Sequence, residues 1–147
     1  MGRTRLPAAV RAMLPADHRP RATSMRLVLP FPPSLNNMFP TIVTKTGRAV
    51  RVKSGAAKKY EASVRNVVGL WINHHQQQAP APPYRLLLTV WPPQDGRKHD
   101  LTNCFKAPED AVMAAIGGDD NDVLVVIGAK MAPDPHPRIE LILETLT

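Results

Sequence analysis

From Met25 onward the apolar residues recur with periods that divide the chain into strands and helices. Leu27, Leu29 and Phe31 alternate with other residues, which predicts a strand. Pro30, Pro32 and Pro33 end it, and Ser34-Leu35-Asn36-Asn37 reads as a turn. Ile42-Val43 and Val50-Arg51-Val52 flank Lys45-Thr46-Gly47-Arg48, the pattern of a hairpin. A helix should follow, with Ser54 as its N-cap. Ala57, Tyr60, Val64, Val67, Val68 and Trp71 return at three- and four-residue intervals and so share one face. The helix fades through 73–78 into the stiff connector Ala79-Pro80-Ala81-Pro82-Pro83. His74 and His75 are consecutive, so on a helix they point about 100° apart and would not converge on one ion.

The second half begins with Tyr84 to Trp91, a Leu- and Val-rich run that reads as a buried strand ended by Pro92-Pro93. Gln94-Asp95-Gly96 makes a loop, and a second helix is expected from Leu101 or Thr102. On it, Leu101, Phe105, Val112 and Ile116 share an apolar face, and Asn103, Lys106 and Asp110 a polar one. Pro108 either kinks this helix or marks where its continuous part begins. Gly117-Gly118 ends it. Val123 to Ile127 predicts another strand, and the alternation of Ile139, Leu141 and Leu143 a last one; these two are expected to pair as an antiparallel hairpin. The order of elements predicts a single small α+β domain over 25–147, a mixed β-sheet with two main helices.

Length and composition agree with one globular core: 147 residues, 44% hydrophobic and 21% charged. The charge alters the picture. A formal +7 and a pI near 10.1 suit a polyanionic partner such as nucleic acid, although a basic protein can be merely soluble. Residues 1–24 hold five arginines against one aspartate and no lasting helical or strand period. They read as a basic, disordered N-terminal extension, either adding non-specific DNA affinity or dispensable for folding. From Lys45 to Arg65 seven basic residues meet one acid, Glu61. Arg51, Lys53, Lys58 and Lys59 in this run are candidate phosphate contacts, or simply a solvated face. Cys104 is the single cysteine, which excludes an internal disulfide and a multi-cysteine zinc site. No apolar run approaches the ~18 residues of a membrane span, and no secretory signal is evident, so a cytoplasmic protein without a membrane partner is expected.

The candidate chemistry lies between Arg97 and Asp122. Asp100 opens this stretch, Asp119, Asp120 and Asp122 follow its glycine break, and Arg97, Lys98 and Lys106 lie among them. If the strands at 84–91 and 123–127 are antiparallel neighbours, Asp100 meets Asp119 and Asp120 at one sheet edge. Converging carboxylates repel unless a cation is present. Magnesium prefers such hard oxygen ligands, and would act as a Lewis acid beside a phosphodiester that a lysine steadies. Helix-capping and turn aspartates remain the simpler reading of the same residues. An EF-hand is excluded, since Asp119-Asp120-Asn121-Asp122 lacks the glycine and later glutamate at the required spacing.

Several of these motifs together resemble the RusA-type Holliday-junction resolvases. They are Leu29-Pro30-Phe31-Pro32-Pro33-Ser34-Leu35-Asn36, the helix start from Ser54 to Tyr60, Asp100-Leu101-Thr102-Asn103, Lys106, Asp110, and Asp119-Asp120 ahead of a valine-rich strand. The resemblance spans roughly 25 to 145 at low identity, in consistent order. It implies a RusA-like fold and a homodimeric, bacterial or phage-encoded endodeoxyribonuclease that cuts four-way DNA junctions symmetrically, in recombination and repair. It implies Mg²⁺ as cofactor, with Mn²⁺ as a substitute. Asp100 and Asp120 match metal-binding catalytic aspartates, Asp119 is the adjoining acid and a further metal ligand, and Lys106 matches a catalytic lysine. Arg97 and Lys98 stand where the family places basic residues.

One position departs from the family pattern. Asp-Leu-Asp-Asn is the family's run, and Thr102 replaces its second aspartate. A neutral hydroxyl removes one negative charge, so metal affinity should fall. Two functions follow: an active junction endonuclease, or a weakened or inactive relative that still binds junction DNA. A basic protein that binds RNA or a protein partner is a third.

Overall fold

The computed structural model describes residues 6–15 and 18–147, with the backbone alone for 35 and 36. A short helix, α1 (Ala8–Met13), precedes strand β1 (Ser24–Pro30). The one-turn helix α2 (Leu35–Met38) and the strands β2 (Thr41–Val43) and β3 (Ala49–Arg51) lead into the long helix α3 (Gly55–His75). After β4 (Tyr84–Trp91) come a 3₁₀ turn at Thr102–Cys104, helix α4 (Lys106–Ile116), a 3₁₀ turn at Asp120–Asp122, β5 (Val123–Lys130) and β6 (Arg138–Thr145). This is an α+β fold with a mixed sheet and two main helices, the class the periodicity predicts.

Strand order in the main sheet is β1-β6-β4-β5. Strand β6 is antiparallel to both β1 and β4, whereas β5 is parallel to β4. Two expectations are corrected here. The last two strands do not form a hairpin, because β6 inserts between β1 and β4. The strands at 84–91 and 123–130 are neighbours, but parallel ones. Parallel strands require a crossover, and α4 supplies it.

The core lies between one face of this sheet and the helices. Met25, Leu27 and Leu29 of β1, Leu86, Leu88 and Val90 of β4, and Ile139, Leu141 and Leu143 of β6 are all buried. Against them lie Ala57, Tyr60, Val64 and Val68 of α3 and Ala107, Ala111, Val112 and Met113 of α4. Strand β4, expected to be buried throughout, alternates instead between buried and half-buried positions. Its second face carries Arg85, which donates from Nε and Nη2 to Glu144 Oε2 on β6.

Local signals acted as their chemistry dictates. Ser54 Oγ accepts from Ala57 N at 3.2 Å, capping α3. Gly117 ends α4 at φ +68°, with Gly118 N donating to Met113 O. Pro108 neither kinks α4 nor begins it. It is the third residue, where a backbone N–H would have no partner within the helix. The turn expected at 34–37 is helical, with Met38 N donating to Ser34 O. Upstream, the extension read as lacking regular structure contains α1, and its end joins the fold before Met25. Ala22 N donates to Gln78 O, and Gln78 N to Pro20 O. Residues 1–5, 16 and 17 of that extension lie outside the described residues.

Gly128 of β5 holds α4 in its place. A Cβ there would fall within the Phe105 ring, with Cζ and Cε1 nearest, and Phe105 packs against the core just ahead of α4. Gly128→Ala should therefore destabilise the protein by about 1–3 kcal/mol through overpacking. Urea unfolding would measure this loss, and a Phe105→Leu background should remove at least half of it.

Candidate functional site

The loop after β4 and the start of α4 carry Arg97, Lys98, Asp100, Asn103 and Lys106, all singled out in the sequence. Asp95 organises the loop. Its Oδ1 accepts from Arg97 N at 3.0 Å, and both carboxylate oxygens lie 3.2 Å from His99 Nε2. The Arg97 N–H first, and then His99, hold the Asp95 carboxyl below its usual pKa. His99 meets the Phe31 ring edge-on, with centroids 5.2 Å apart at 82°. The His99 carbonyl accepts from Lys130 Nζ at the end of β5. The loop is thereby tied to the sheet, and Asp100 follows it, accepting from Asn103 Nδ2 at 3.4 Å. Beneath, burial pushes the Cys104 thiol pKa up, and its Sγ donates to the Asp100 carbonyl.

These residues line a pocket of about 530 Å³. Phe31, Pro32, Pro33 and Pro93 give it an apolar wall; Arg51, Arg97 and Lys98 give it positive charge, beside Asp95 and Asp100. A second pocket, of about 490 Å³, holds Glu61, Asp110, Asp119 and Asp120, together with Lys53. The two adjoin. Asn37 lines the first and Met38 the second; Arg51 lines the first and Lys53 the second; Asn103 lines the first and Ala107, one helical turn on, the second. The segment after α2 is tied to the hairpin and the start of α3, with Arg51 Nε donating to Phe39 O and Ser54 N to Met38 O.

Lys106 stands at the centre of the acidic group. Its Nζ donates to Asp110 Oδ1 at 3.0 Å and lies 3.6 Å from Asp120 Oδ2. The bond to Asp110 raises the Lys106 pKa above its ordinary 10.5, with Asp110, Asp120 and Glu109 adding charge attraction against partial desolvation. Glu109 is itself raised, mainly by burial. Asp119 caps the turn before β5, accepting from Asn121 N at 2.9 Å. Lys53 bonds Glu61 at 2.5 Å.

The structure thus gathers Lys106 and Asp120 with Asp110, sets Asp119 in the same pocket, and puts Asp100 in the neighbouring one. Arg51, Arg97 and Lys98 line the Asp100 pocket, while Lys58 and Lys59 are exposed on the first turns of α3, in neither pocket. A shared sheet edge is not what relates Asp100 to Asp120, because the parallel pairing sends the two strand ends apart. The adjoining pockets relate them instead. Sequence reasoning missed Asp95 and His99, whose spacing in a loop carries no periodic signal, and it noted Glu61 only as the one acid in a basic run, not as a site residue.

The carboxylate oxygens of Asp110 and Asp120 at Lys106 are donors of the kind magnesium prefers. That ion is commonly held by one or two carboxylates plus substrate phosphates. Asp110 and Asp120 already clasp a cation, the Lys106 ammonium. Among the described residues no three acidic, histidine or cysteine side chains stand together as ligands for one ion. No protein-family model matches the sequence, and no curated protein does.

The Lys106 pair is solvent-exposed, with 53% of the lysine side chain accessible, so it contributes little to folding. Lys106→Met should cost about 0.3–1 kcal/mol of unfolding free energy at neutral pH. Because the pKa is raised, that contribution is present below 10.5 and lost as pH climbs through the raised value. Urea titrations at pH 7 and above 11 measure both quantities.

Proposed function

We propose that this chain is a metal-dependent, structure-selective endodeoxyribonuclease that cuts four-way DNA junctions. The observation that carries the reading is the Asp110–Lys106–Asp120 cluster beside a pocket lined by Arg51, Arg97 and Lys98. The motif resemblance adds the substrate. The three basic side chains neutralise backbone phosphates on the approach to Asp100, an interaction that release of counterions makes steeply salt-dependent. Lys58 and Lys59 extend the positive surface along the start of α3, whereas Lys53 is paired with Glu61. Asp110, Asp119 and Asp120, which line one pocket, are the residues that would hold Mg²⁺ or Mn²⁺, with Asp100 in the neighbouring pocket. An ion held there would supply Lewis-acid polarisation of the phosphodiester. Lys106 then turns its ammonium to the phosphate and stabilises the negative charge that develops on it.

Symmetric cutting calls for two equivalent sites related by a two-fold axis. Support for a homodimer comes from edge strand β5, where Leu124 and Ile127 are 62% and 54% exposed, beside Met131. Among the described residues no helix is long and apolar enough to cross a membrane.

A second reading has its own observation. Thr102 lies in the 3₁₀ turn just ahead of α4 and lines neither pocket, so the position where the resemblance implies a second aspartate brings no carboxylate to either. The chain would then bind junctions and not cut them. Nicking of synthetic junctions with Mg²⁺ or Mn²⁺ decides between the two. The endonuclease reading expects cutting that Asp120→Asn reduces at least a hundredfold and Thr102→Asp increases. Salt-sensitive binding with no cutting by either ion would leave the binding reading. In sedimentation runs, Leu124→Lys should shift the protein from dimer to monomer.

A further inference from the structure

The first pocket combines features that a phosphate-tracking surface does not need. Its volume of about 530 Å³ falls in the range of small-ligand pockets, roughly 300–1,000 Å³. A DNA backbone lying across a surface requires cations, not a hollow with an apolar wall. Here Phe31, half-buried and backed by the core, faces the hollow together with Pro32 and Pro93. His99 stands edge-on to Phe31 and is held by both oxygens of Asp95, so the pocket keeps two ring systems in set positions. Arg51, Arg97 and Lys98 supply the charge.

An apolar, aromatic wall beside a cationic rim matches one chemical object: a nucleotide whose base is out of the stack. Its ring has a face for Phe31 or His99, and its phosphate a partner in the guanidinium groups. Base–aromatic stacking contributes about 1–3 kcal/mol per base and tolerates any sequence. Base-edge polar partners are also present, since Asn37 and Asn103 line the same hollow.

We infer that the Phe31/His99 pocket receives a single unstacked nucleotide of the bound DNA, its base against the aromatic wall and its phosphate on Arg51, Arg97 and Lys98. At a four-way junction the nucleotides at the crossover are those whose stacking is most easily given up. The pocket adjoins the Lys106 cluster, so capturing one such nucleotide sets the register of the strand relative to Asp120. This rests on the DNA-binding part of the function proposed above and not on cleavage.

The test uses 2-aminopurine, whose fluorescence rises when it leaves the stack. The probe is placed singly at each crossover position of a junction, at an internal duplex position, and in an unpaired single strand; the full chain is added in the presence of Ca²⁺. The expected result is a rise of severalfold at one crossover position and in the single strand, and none in the duplex. Phe31→Leu, which keeps apolar volume against the core, should cut the rise at least fivefold, and Phe31→Tyr, which keeps the ring, should retain single-strand binding in a band shift. Arg97→Ala should weaken single-strand binding in a band shift by about tenfold. Band-shifted junction with no rise at any position overturns the pocket and leaves the DNA reading standing. A rise that Phe31→Leu does not alter also overturns it. A rise in the single strand without junction binding supports the pocket and removes the junction as substrate. Free dAMP, titrated by NMR, separates capture of a loose nucleotide from capture within a strand. Saturable shifts at Phe31 with dAMP, but no 2-aminopurine rise in any DNA, would overturn the assignment to DNA.

Discussion

Parallel pairing of β4 with β5 dictates where every candidate residue ends up. A parallel neighbour cannot be reached by a tight turn, so the chain must travel the length of the sheet before β5 begins. Helix α4 makes that journey, and its eleven residues cover roughly 16 Å at 1.5 Å per residue. Phe105, set over Gly128, seats its start on the sheet, and the Gly117 cap with the Asp119 turn closes its end. The buried side of α4, with Ala107, Ala111 and Val112, leaves Lys106 and Asp110 facing outward. Asp110 consequently lines the pocket that also holds Asp119 and Asp120, while Asp100 lines the neighbouring one.

Electrostatics then divide the surface. The protein carries a formal +7, yet Glu109, Asp110 and Asp120 cluster around a single lysine. Long-range attraction for a polyanion and a local demand for a cation coexist on adjoining ground. In the proposed function, the wide positive field would draw a DNA strand in, and the acids would hold a cation where it lands. Asp95 plays a different part. Bound to Arg97 N and to His99, it spends its charge on the shape of the loop.

Much of this was legible in one dimension. The alternation in β1 and β6, the stripe on α3, the Ser54 cap, the Gly117 stop and the Lys106–Asp110 pair all follow from spacing within a single element. There, backbone geometry alone decides which side chains share a face. The basic character of the 45–65 run and of Arg97-Lys98 was equally plain, since charge is carried by residue type.

Strand order was not legible. Ile139, Leu141 and Leu143 alternate identically whether β6 pairs with β5 or inserts between β1 and β4, because period two reports a buried face and not a neighbour. The same holds for the site. The sequence by itself determined that Asp100, Lys106, Asp110 and Asp120 are polar positions flanking one helix. Only the tertiary structure decided that Asp120 joins Lys106 and Asp110, that Glu61 arrives in their pocket from α3, and that Asp100 opens into a separate aromatic hollow with Phe31 and His99. Those meetings depend on the direction in which β5 lies against β4, which is settled by packing across the whole core.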